Sequence, residues 1–214
     1  MAWTLLTATV AAAATAGYAV ARCPATLDDP AAPGYLGTLA VLLAGYLGFA
    51  VRAWRRPAPG RRLGTVFGLA AAVSWAIEIW AGGPARLDRP LERAVGGTFA
   101  LLAVVITVAA GVVAGLRTRD RRAALQTGLS AGFVSGATLF CLAVVMTLTS
   151  LGALAARDDY RREFATGHSH APDIATFLVG DILAAATAHL VINLVLGAIG
   201  GGLGVLLAGA AREA

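Results

Sequence analysis

The sequence contains no lysine: all 17 of its basic residues are arginine. With a heavy load of alanine, glycine and valine, this reads as the compositional mark of a GC-rich genome and not as a demand for the bidentate pairing that separates Arg from Lys. Charge of either sign is scarce. Only 14% of the 214 residues are charged, against about 25% in soluble domains, while 58% are hydrophobic and the mean hydropathy is +0.74. A water-facing surface cannot be built from that mixture, so the composition excludes an ordinary soluble domain.

Other absences narrow the class further. No polar stretch is long enough to fold alone, which leaves a single integral membrane domain over residues 1–214. Cysteine is limited to Cys23 and Cys141, in unlike settings and without metal-type spacing, so neither a disulfide framework nor a thiolate metal site is expected. No Lys or Arg precedes the first apolar span, so the charged n-region of a signal peptide is missing. Arg22 also stands where a lipoprotein signal needs a small residue before Cys23. The first span is therefore expected to be retained as a helix. Walker, Rossmann and zinc-protease motifs are missing as well. A pI near 10.0 does not point to nucleic acid here, because the arginines sit between apolar spans, where they set topology. No cofactor is implied.

What remains is a succession of apolar stretches. Spans are expected at about 3–21, 34–53, 63–82, 94–116, 125–150 and 188–210, each long enough to cross a hydrocarbon core of about 30 Å at 1.5 Å per residue. Arg52, Arg55, Arg56, Arg61 and Arg62 form one basic loop, and Arg117, Arg119, Arg121 and Arg122 another. With Arg212, ten arginines fall on one side and seven on the other, a bias that the positive-inside rule reads as both termini cytoplasmic in a bacterial inner membrane. The expected fold is all-α: a polytopic six-helix bundle. Apolar character persists over 123–156 and 174–211, further than a plain crossing needs. The last two helices are thus expected to project as an extracytoplasmic antiparallel hairpin capped by an outer loop, 157–173. A bend at Gly152 or Gly180, or a short interfacial helix before the sixth span, is the competing arrangement.

Polar residues inside apolar spans are costly and are functional candidates by default. Four stand out. On a helix advancing about 100° per residue, Asp181, His189, Asn193, Gly200 and Gly204 share one broad face. Glu78 sits between Trp75 and Trp80 near the expected outer interface, where tryptophan commonly anchors. His189 and Asn193 fall at a similar depth, so Glu78, His189 and Asn193 are expected to form a pair or water-linked trio, read either as a proton or substrate site or as polar glue between helices. Asp181 falls in the projecting half. In the outer loop His168, His170 and Asp173 could ligate a transition metal, although an ordinary solvated loop is the simpler reading and Asp173 also suits an N-cap. Small residues recur at four-residue intervals, best at Gly128, Gly132 and Gly136, and again at Gly197 and Gly201. Such ridges let helix backbones approach closely, within the chain or between copies.

The His189–Asn193 pair and Gly132-Phe-Val-Ser135-Gly136 are superficially similar to rhomboid intramembrane proteases. The pattern departs from theirs, however: the compact Gly-x-Ser-Gly form is missing, and the expected topology puts Ser135 toward the inner leaflet, away from His189. The functional expectation is a transport or channel component with an outer-leaflet polar site, acting alone or as one subunit of an assembly. The alternatives are a membrane-embedded scaffold that binds a protein partner through the hairpin, or, third, an intramembrane enzyme. Beyond the bilayer, a protein partner or a second copy of the chain is the partner class considered.

Overall fold

The computed structural model describes residues 2–55, 61–85, 87–166 and 170–213. Among them there are seven α-helices and no strand: α1 (Ala2–Arg22), α2 (Ala32–Arg55), α3 (Arg61–Gly82), α4 (Arg89–Thr118), α5 (Arg121–Ala155), α6 (Asp158–Ala165) and α7 (Ile174–Glu213), with a short 3-10 helix at Pro24–Asp28. Six of the seven are long and apolar enough to cross a membrane. The chain is thus a multi-pass helical bundle by length and composition. The helix ends are punctuated by ordinary signals. Arg119 takes the left-handed conformation that stops α4, and Asp120 accepts a hydrogen bond from the Arg122 amide to start α5. Asp173 accepts from the Thr176 amide at 2.8 Å and caps α7.

As the persistence of apolar character led one to expect, α5 and α7 are long, and both run unbroken through Gly152 and Gly180, for 35 and 40 residues. The short helix foreseen only as an alternative is present: α6 carries Tyr160 and Phe164 on its inner face and Asp158, Arg161 and Arg162 outward, and Phe164 packs on Phe177 of α7.

Glycine explains how the helices assemble. A Cβ built on Gly128 would meet Gly201 N at 2.6 Å, and one on Gly132 would meet the Asn193 carbonyl oxygen. These contacts lay the Gly128–Gly132–Gly136 face of α5 antiparallel on the Gly197–Gly201 face of α7. The register holds along the pair, since Arg121 lies against Gly209 at one end. On its other side α7 runs parallel to α4, with Gly115 meeting Gly204 at 2.7 Å on the same construction. Gly64 and Gly68 of α3 lie against the Thr127 and Ala131 carbonyls of α5. Side chains would separate these backbones, so only glycine permits α7 to sit in the crease between α4 and α5. A second group of buried alanines, Ala12, Ala16 and Ala19 of α1 with Ala137 and Ala143 of α5, seats α1 on the opposite flank of α5.

One end of the bundle is tied together by Arg157. Its Nη1 donates to the Gly82 and Gly83 carbonyls at 3.0 and 2.6 Å, while Nε and Nη2 clasp Asp159 at 3.0 and 2.5 Å. The ends of α3 and α5 thus share a side, as alternate crossing requires. The hydrogen bond from Arg157 holds the Asp159 carboxyl below the ordinary carboxylate range. A depressed folded value stabilises fully above the unfolded value of about 3.9 and loses that contribution as pH falls through the folded one. Because Asp159 is half exposed, the effect is local. Hydrogen exchange of the α6 amides, corrected for intrinsic rates, should accelerate in acid, and Asp159→Asn should reproduce that acceleration at pH 7. Exchange in the variant that matches the native chain would show that the clasp does not anchor α6.

Candidate functional site

Asn193 is fully buried where α7 crosses α3 and α5, at 0% exposure. Its Oδ1 accepts two hydrogen bonds, from Trp75 Nε1 of α3 at 3.1 Å and from Ser135 Oγ of α5 at 2.8 Å. Its Nδ2 donates to the His189 carbonyl at 2.9 Å. The amide orientation follows from its partners, because a flip would set two donors against each other at the indole. Gly132 and Gly136 make the arrangement possible: they bring the α5 backbone close enough for the short Ser135 side chain to reach across. One turn away, Tyr46 of α2 donates to the Leu190 carbonyl at 2.9 Å and stacks on Phe133 with centroids 3.9 Å apart. Three helices therefore converge on one turn of α7.

His189 is next to this network and is half-buried. The edge of its ring meets Trp75 with centroids 5.1 Å apart, and Nδ1 lies 3.0 Å from the Ala185 carbonyl. A carbonyl can only accept, so Nδ1 carries the proton and Nε2 is left to accept a hydrogen bond or a proton. Glu78, one turn along α3 from Trp75, lies within electrostatic range of His189, with its stem against Gly96 of α4. Among the described residues no basic side chain forms a salt bridge with Glu78 or Asp181, since the one ion pair is Arg157–Asp159.

His189 and Asn193 stand on adjacent turns of α7, Glu78 is within electrostatic range of His189 without forming an ion pair with it, and Asp181 lies apart, exposed on α7 two turns nearer α6. Two of the network's members were misjudged from sequence. Trp75 is not an interfacial anchor but a buried donor, 8% exposed; Trp80, 48% exposed, faces outward instead. Ser135 is not displaced toward the inner side but touches Asn193. The antiparallel match of two glycine ridges carried that signal, because laying Gly132 on Gly197 places Gly136 and its neighbour Ser135 beside Asn193. The depth argument against a Ser135–His189 relationship therefore falls, yet the Ser135 hydroxyl is spent on an amide oxygen. An amide oxygen is not a base, so no activated nucleophile results.

The described residues of the 157–173 segment show no comparable focus. His168 lies outside the described residues, His170 is exposed, and both oxygens of Asp173 are engaged with Thr176. Among the described residues no group of three or more His, Cys, Asp or Glu side chains could hold a metal ion. Cys23 and Cys141 are both free thiols.

No protein-family model, no curated protein and no solved structure matches this chain.

Proposed function

We propose that the chain is a membrane transport or channel component whose working centre is the Glu78–His189 pair, seated on the Trp75–Asn193–Ser135 network. One observation carries the reading. Two titratable groups, within electrostatic range of each other and without an ion pair among the described residues, lie beside a buried amide that makes three hydrogen bonds, within helices apolar enough to span a membrane. Burying such groups in hydrocarbon is costly, by about 2.5–3.5 kcal/mol for an acid on insertion scales. Polar groups that served packing alone would be more cheaply met by serine or threonine bonded to their own helix, as Thr107 and Thr187 are. A histidine with one free ring nitrogen next to a carboxylate can take a proton from one side and release it to the other. The solute is accordingly a proton or a small polar molecule that exchanges one.

In this reading both termini are cytoplasmic, Arg157 and α6 lie on the outer side of a bacterial inner membrane, and the α5–α7 pair overhangs the bilayer. At 1.5 Å per residue the two helices extend about 52 and 60 Å, against a core of about 30 Å. The overhang, with the charged outer face of α6, supports a second reading: a scaffold that docks a partner there. The two separate cleanly. Purified protein reconstituted in liposomes with a pH-sensitive dye inside should show potential-driven acidification. Glu78→Gln and His189→Ala should each reduce the rate at least tenfold with melting temperature retained. Native rates in both variants, together with loss of a co-purifying protein on substituting Arg161 and Arg162, would replace transport by scaffolding.

A further inference from the structure

Beneath α6, a partly open cavity of about 240 Å³ lies between the ends of α3, α5 and α7. Its walls are apolar, formed by Ile79, Met146, Leu154, Leu178 and Ile182, and three polar side chains interrupt them: Thr147, Tyr160 and Asp181. We propose that this cavity binds a small organic cation, a protonated amine on a compact apolar body, with Asp181 as its counter-ion. The proposal supplies a substrate class for the transport reading and rests on that reading for its purpose.

Three features select the ligand. Among the described residues the Asp181 carboxylate has neither a salt-bridge nor a hydrogen-bond partner. The Thr147 hydroxyl, on a residue only 7% exposed, also lacks one. An unpaired hydroxyl from α5 and an unpaired carboxylate from α7 line the same cavity and ask for a donor. Second, the local charge is negative. Glu163 lies within electrostatic range of Asp181, and the nearby guanidinium of Arg157 is already occupied by Asp159 and two backbone carbonyls. Third, one carboxylate amid aliphatic walls is too few oxygens for a hard metal ion, which takes six or more. An ammonium is satisfied by the carboxylate, the Thr147 hydroxyl and water, while its hydrocarbon part displaces water from the apolar wall. The volume falls just below the usual range for drug-sized ligands, so the cation is small.

Calorimetric titration of the detergent-solubilised full chain with phenethylamine tests the idea, with phenethyl alcohol and hydrocinnamate as neutral and anionic counterparts. The amine should bind at least tenfold more tightly than the alcohol, and hydrocinnamate should not bind. Asp181→Asn, nearly isosteric and at an exposed position, should weaken the amine at least tenfold without lowering the melting temperature. Thr147→Val should weaken it about threefold. Equal binding of amine and alcohol, or an unchanged affinity in Asp181→Asn, would overturn the proposal and leave an apolar cavity for a hydrocarbon tail. Amine binding that holds while proton flux is undetectable would overturn the transport reading and spare this one. Flux without amine binding would do the reverse.

Discussion

Replacing Gly132 by leucine abolishes the folded bundle: the variant runs in the void volume on size exclusion in mild detergent, where the native chain gives one symmetric peak. The side chain has no space, since even the first carbon would strike the Asn193 carbonyl and stand 3.2 Å from Gly197 Cα. Overpacking ordinarily costs about 1–3 kcal/mol when side chains can yield. Here the obstacle is backbone, and the α5–α7 pair must separate. The same separation withdraws Ser135 from Asn193. Gly132→Ala should sit between the two, folded but with a clearly lowered melting temperature. Gly152→Leu is the control, because nothing lies within 4 Å of the position where its Cβ would be. A native melting temperature for Gly132→Leu would mean that the two helices do not pack at this register.

Asn193→Leu should also lower stability, for a different reason. The indole N–H of Trp75 loses its acceptor inside an apolar bundle, at about 1–3 kcal/mol for an orphaned buried donor. Ser135 suffers less, because a helical serine can turn to the carbonyl one turn back. Interhelical hydrogen bonds within membranes average only about 0.6 kcal/mol in measured cycles, since the separated helices find other partners. Most of the destabilisation should therefore trace to Trp75. Adding Trp75→Phe and Ser135→Ala removes both orphaned donors, and stability should recover to near the native value.

How far the sequence could be read follows from the kind of information each feature uses. Six apolar spans and the alternating basic loops were legible, because hydropathy and arginine bias are properties of single segments. So were the glycine ridges of α5 and α7, though which ridge meets which was not. The alternative of a break at Gly152 or Gly180 is not taken, and the glycine run of α7 stays helical because in the bundle Gly197, Gly200, Gly201 and Gly204 are covered by α4 and α5 on either side. Asn193 and His189 were found because they are anomalous in an apolar helix. Trp75 and Ser135 are not anomalous: tryptophan near a span end reads as an anchor and serine beside glycine reads as packing. Their roles come from the α3–α5–α7 register, which no single segment contains. The cavity beneath α6 was invisible for the same reason, its walls being drawn from four helices.

Under the proposed function, the polar network at Asn193 is kept for what it does with Glu78 and His189 and not for holding helices together. Proton flux through liposomes containing the triple variant Trp75→Phe, Ser135→Ala, Asn193→Leu tests this most directly, because stability and polarity are separated in one protein. The prediction is a native-like melting temperature with flux below a tenth of the native rate. Flux restored together with stability would contradict it and reduce the network to packing.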